Sequence, residues 1–86
     1  MIISATQGYS PGERATLERF RELRGGARDG LDKEAARSIL RELKAVGGSL
    51  SAVRHALTGE NHGPELWTVL ASLDRDETLR RVDAAL

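Results

Sequence analysis

The residues able to do chemistry gather in one run, RHALTGENHGPELW, at positions 54–67. Arg54 and His55 stand at the end of an apolar helical turn, before a Thr-Gly stop and a short polar loop. His55 and His62 are the chain's two imidazoles. One lies on a helix, one in the loop, and no carboxylate sits near them at metal-ligand spacing. Two solvent-facing histidines are therefore expected, with no metal site. Asp74, Asp76 and Glu77 are the right types for acid–base work. They crowd a helix start, where negative charge is stabilised by the helix dipole, so capping is expected of them. Gly25-Gly26 and Gly47-Gly48 read as helix stops, not as a phosphate cradle. Arg80-Arg81 and the Arg21, Arg24, Arg28 grouping read as solvated faces. Arg54 differs, because it follows core-facing Val53 at the edge of the loop. Its planar fork suits loop carbonyls, base edges and phosphates alike. No catalytic set is found, and no cofactor is expected.

Composition narrows the function classes. The 86 residues carry 13 Lys/Arg and 13 Asp/Glu, for a formal net charge of zero. Residues 1–46 hold nine basic and seven acidic groups, and residues 47–86 hold four and six. This is not the strongly basic balance of a protein that relies on phosphate contacts alone. One Phe, one Trp and one Tyr cannot build a stacking platform for several bases. The absence of Cys removes disulfides and thiolate metal sites and fits a reducing compartment. No apolar run approaches the roughly 20 residues of a membrane span. The opening MIISATQGYS lacks the basic start and apolar length of a signal peptide. A cytoplasmic protein with no membrane role is expected.

The elements that would position these residues are helical throughout. Residues 1–9 read as an extended leader, and residues 10–86 as a single helical domain. Ser10, Pro11 and Glu13 make a helix start with a capping box, and the helix should run to about Arg24 with Leu17, Phe20 and Leu23 inward. Asp32 should cap a second helix over 33–46, with Ala36, Ile39, Leu40, Leu43 and Val46 on one face. Ser49 or Ser51 should cap a short third helix carrying Leu50, Val53 and Leu57, closed by a left-handed Gly59. Pro64 is expected to open a fourth helix with Leu66, Trp67, Leu70 and Leu73 inward. Asp74 should cap a fifth, with Glu77 completing a second capping box and Leu79, Val82, Ala85 and Leu86 facing the core. No strand-like alternation occurs. The expected fold is all-α, a small bundle of about five short helices that tertiary packing must hold together.

From Arg54 onward, the sequence resembles the C-terminal end of bacterial glutamyl-tRNA synthetases. Their anticodon-binding region closes with a helix ending Leu-Arg-x-Ala-Leu-Thr-Gly. A Gly-Pro loop, a helix, a Leu-Gly corner and a last helix follow. The match is carried by Arg54, Ala56, Leu57, Thr58 and Gly59, then by Gly63, Pro64, Leu66, Leu70 and Leu73. It ends on Glu77, Leu79, Arg81, Ala85 and Leu86. It covers about residues 31–86. ALTG and GPEL at this separation are its most specific part. The chain departs from the pattern at Ala52-Val53, where the family often has Pro-Leu, and at Asp74, where it has the Gly of the corner. The resemblance implies an anticodon-binding-like fold. It also implies that Arg54, Gly63, Pro64 and Leu66 lie against unpaired anticodon bases. A tight loop with exposed backbone offers N–H groups to such a base, and Arg54 adds a charged fork.

No ATP-binding signature of that enzyme class occurs in these 86 residues, so no aminoacylation is expected from them. The leading expectation is a non-enzymatic, stand-alone anticodon-binding-like domain. It would bind tRNA, that for glutamate, weakly through the 54–66 region, and present it to a protein partner such as a tRNA-dependent enzyme. The alternative is a protein-interaction or scaffold module that keeps the fold without RNA binding, with the new function on the leader and the helix over 11–24. A DNA-binding regulator is disfavoured, because PELWTVLASL carries no Arg, Lys, Asn or Gln to read base edges.

Overall fold

The computed structural model describes residues 9–86, so expectations for residues 1–8 of the leader lie outside the described residues. It contains five helices: α1 (Pro11–Gly25), α2 (Lys33–Ala45), α3 (Leu50–Thr58), α4 (Leu66–Ser72) and α5 (Arg75–Ala85). No strand occurs among the described residues. The all-α bundle read from the sequence is the fold observed.

Local chemistry sets most of the boundaries. Ser10 accepts from the Glu13 N–H at 3.2 Å while its own N–H donates to the Glu13 carboxylate at 2.9 Å, a complete capping box. Asp32, Ser49 and Asp74 cap α2, α3 and α5, each accepting the N–H three residues on. At the end of α2, Gly47 takes φ 78°. The Gly48 N–H then reaches the Leu43 carbonyl at 2.8 Å, and that of Gly47 reaches Lys44 at 3.0 Å, which together make a Schellman motif.

α1 packs against α2, α3 and α5, while α4 lies on α2. The fully buried core side chains include Leu17 and Phe20 of α1, Leu43 of α2, Val53 of α3, Leu70 of α4 and Val82 of α5. Thr16, buried on α1, accepts from the Ser49 N–H at 3.0 Å and ties α1 to the start of α3. α1 is thus integral to the domain and not an appended helix.

Several expectations are corrected by packing. Arg24 is fully buried, where a solvated face was expected, and Leu23 is only half-buried. Arg24 lies one turn beyond Phe20 on the core-facing line of α1. Its guanidinium donates to the carbonyls of Arg28 and Asp29, closing the α1–α2 loop. Burial lowers its pKa from the ordinary value, partly offset by Asp29. Val46 is 69% exposed, because α2 ends at Ala45 and the turn carries Val46 outward. In α5, Thr78 and Val82 are buried, while Leu79 is half-buried and stands outside the core cluster. Asp74 caps α5, but the second capping box is only half made. The Glu77 carboxylate turns instead to Arg80 at 2.8 Å and Arg81 at 2.7 Å.

Candidate functional site

The corner between α3 and α4 gathers the residues singled out in the sequence. α3 stops where Gly59 takes φ 78° and its N–H reaches the His55 carbonyl at 2.8 Å. The Thr58 hydroxyl donates to the Arg54 carbonyl at 2.8 Å and accepts from the Glu60 N–H at 3.1 Å. This pins the chain as it leaves the helix. From the far side, Arg81 of α5 donates to the Leu57 carbonyl at 2.7 Å and pairs with Glu77. A cation thus satisfies an orphan carbonyl at the C-terminal end of α3. Arg81 is exposed, as expected of a solvated face, and in addition holds the end of α3.

Pro64 does not open α4. It sits in a bend, Glu65 follows with extended backbone (φ −55°, ψ 140°), and α4 begins at Leu66 without a side-chain cap. The corner therefore spans residues 59–65, longer than expected, and its backbone at Gly63 and Pro64 is exposed.

Arg54 and Gly63 are brought together. Gly63 has φ 149°, a region that side-chain-bearing residues rarely enter. A Cβ built there would lie 3.3 Å from Arg54 Nη1. That nitrogen is buried and has no hydrogen-bond partner. Burying a charged donor without a partner is costly, and this N–H shares that condition with Arg24 Nε in the interior. Leu66 behaves differently from the other three. At 8% exposure it belongs to the core cluster and anchors the far end of the corner.

The two histidines part company. His62 is an exposed loop residue. His55 accepts or donates at Nδ1 with the Tyr9 hydroxyl at 2.7 Å, their rings edge-to-face with centroids 5.7 Å apart. Burial, with a smaller contribution from Glu13, raises the Tyr9 pKa. Among the described residues no group of three or more His, Cys, Asp or Glu could hold a metal ion, and no helix is long and apolar enough to cross a membrane. Asp74, Asp76 and Glu77 lie at the start of α5, where Asp74 caps the helix and Glu77 pairs with Arg80 and Arg81, while Asp76 is an exposed acidic residue of the first turn.

Sequence reasoning missed Trp67 as a surface feature. Its position in the apolar pattern of α4 gave an inward residue, yet it is half-buried, with the Lys33 ammonium 5.0 Å from its ring centroid. The basic spacing of α2 at Arg37, Arg41 and Lys44 was visible in the sequence, but only the packing of α4 on α2 sets Trp67 beside it.

Comparison with known proteins gives this geometry its context. Over 55 residues, 63% of this chain, the sequence is 40% identical to the glutamate–tRNA ligase of Desulforudis audaxviator (strain MP104C). The chain covers only 11% of that protein's length. No solved structure matches. The family model of the anticodon binding domain matches residues 11–86, so the match takes in α1 as well as the four helices after it. The chain belongs to the anticodon-binding domain family.

Proposed function

We propose that this domain binds tRNA, that for glutamate, through the 54–66 corner, and presents it to an enzyme that acts on it. The observation that carries the reading is the buried, unpartnered Arg54 Nη1 against Gly63. Such a group is satisfied by an acceptor brought to the corner, and an unpaired base offers acceptors on its exposed edges. Gly63 and Pro64 leave the backbone open beside it, while Leu66 holds the corner to the core. The family and the similarity to a glutamate–tRNA ligase support tRNA as the ligand.

Fluorescence anisotropy with a labelled glutamate tRNA transcript at low salt tests this. The expected result is saturable binding that Arg54→Ala weakens by about 5- to 150-fold, the range for loss of one good base contact of ~1–3 kcal/mol. No binding at high micromolar protein, with Arg54→Ala indistinguishable from the unaltered chain, refutes it.

A further inference from the structure

Trp67 forms one wall of a cleft of about 450 Å³ between the C-terminal half of α2 and the start of α4. The opposite wall is basic. Arg37, Arg41 and Lys44 stand at i, i+4 and i+7, on one line along α2, and all three are exposed. Leu40 and Leu50 contribute apolar floor, and Glu65 is the one carboxylate in the lining. Arg41 reaches Glu34 at 3.5 Å, but both groups are largely exposed and such a contact is worth little. Neither Arg37 nor Lys44 takes part in an ion pair among the described residues. The zero net charge of the chain thus conceals a local excess of positive charge beside an aromatic ring.

The cleft shares Glu65 with the corner. Leu50 precedes Arg54 by four residues on α3, a rise of about 6 Å. Glu65 and Leu66 directly follow Gly63-Pro64 and line the cleft themselves. A strand whose base sits on the corner is led into the cleft by its own backbone. Cations in a row with an aromatic wall form the combination that tracks unpaired nucleic acid, the charges following phosphates and the ring packing on a base. An acidic peptide would use the charges and leave the indole without a flat partner.

We infer that this cleft is a second contact surface for the same RNA. The phosphodiester backbone runs along Arg37, Arg41 and Lys44, and a base or ribose packs on Trp67 in competition with the Lys33 ammonium, 5.0 Å from its ring centroid. The inference rests on the reading of the corner given above, and the test separates the two.

Trp67 is the chain's single tryptophan, so its fluorescence reports on the cleft without ambiguity. The full chain is titrated with a seven-nucleotide unpaired RNA of anticodon-loop sequence at several salt concentrations. RNA quenches Trp67. The double variant Arg37→Ala/Lys44→Ala loses about 1.4 from the slope of log Kd against log salt, at ~0.7 per phosphate contact on a single strand. The base preference set by Arg54 is unaffected. The replaced residues are exposed, and circular dichroism confirms the fold. If the double variant keeps the full slope while Arg54→Ala still weakens binding, the cleft is refuted and the corner stands. If no variant and not the unaltered chain binds RNA, both fall. If polyglutamate of equal charge competes as well as RNA, the cleft is a docking site for an acidic protein segment, and the RNA assignment is overturned.

Discussion

Gly63→Ala is the most informative single change, because it loads the backbone and the Arg54 side chain together. At φ 149° an L residue is strained whatever the surrounding space, and positions of this kind cost of order 1–3 kcal/mol when occupied by a non-glycine residue. The added Cβ also lies 3.3 Å from Arg54 Nη1, so the guanidinium must withdraw by a few tenths of an ångström. Gly59→Ala is the matched control. It shares the left-handed requirement at φ 78°, but nothing lies within 4 Å of its Cβ. Gly59→Ala should cost about 1–2 kcal/mol, the penalty of one left-handed residue. Gly63→Ala should cost about 2–3 kcal/mol, combining backbone strain with the crowded contact. For a domain of this size each kcal/mol lowers Tm by about 4–8 °C, so thermal unfolding resolves the two variants. Repeating Gly63→Ala in an Arg54→Ala background removes the contact, and its cost should fall to that of Gly59→Ala. A coupling of about 0.5–1 kcal/mol between the two sites is the expected result. Additive effects refute the statement that Arg54 rests against Gly63. A Gly63→Ala protein as stable as the unaltered chain refutes the backbone argument as well.

Two further predictions concern α5. Arg81→Ala removes both the cap on the Leu57 carbonyl and the pair with Glu77, and urea unfolding should show a loss of about 1.5–3 kcal/mol, the range for a hydrogen bond from a charged donor. Arg81→Gln should recover part of it. The Glu77 carboxyl is held below its ordinary range chiefly by its hydrogen bond to Arg81, and that of Asp83 by its bond to Arg21. Groups whose folded pKa is depressed add stability above their unfolded pKa, near ~4, and lose it as pH falls through the lower folded value. Tm should therefore be flat above about pH 5 and fall below about pH 4. The Asp83→Asn/Glu77→Gln double variant should show a shallower fall.

The parts of the fold legible in the sequence are those that short-range chemistry decides. Ser10, Asp32, Ser49 and Asp74 each cap a helix through a bond three residues away, and Gly59 stops α3 through its own φ. None of these depends on what packs nearby. The misread positions are those that tertiary contacts decide. Arg24 carries a charge and so reads as surface, yet it lies in the interior, where the carbonyls of Arg28 and Asp29 take its two terminal nitrogens and its Nε is left without a partner. Pro64 suits a first helical turn, but the strained glycine before it and the extended Glu65 after it delay α4 to Leu66. Leu79 fits the apolar pattern, while Thr78, whose hydroxyl bonds back to the Asp74 carbonyl at 2.8 Å, takes the buried place. For the candidate site, family resemblance pointed to Arg54 and Gly63, and only the folded corner shows that they meet. The basic line of α2 was present in the sequence, but nothing there set Trp67 opposite it. That follows from α4 lying on α2.

The ends of the corner are held differently from its middle. Leu57 and Leu66 both belong to the buried core, so the seven residues 59–65 hang between two packed anchors. Their ordering is charged to folding, not to ligand capture. The entropy that a free loop would surrender on meeting a partner has already been spent. On the proposed reading, a corner held in this way gains little from a ligand that would reshape it, and would discriminate by fit. It follows that a peptide cut out at residues 54–67 would carry every group of the corner itself and still bind poorly, because what it lacks is the frame.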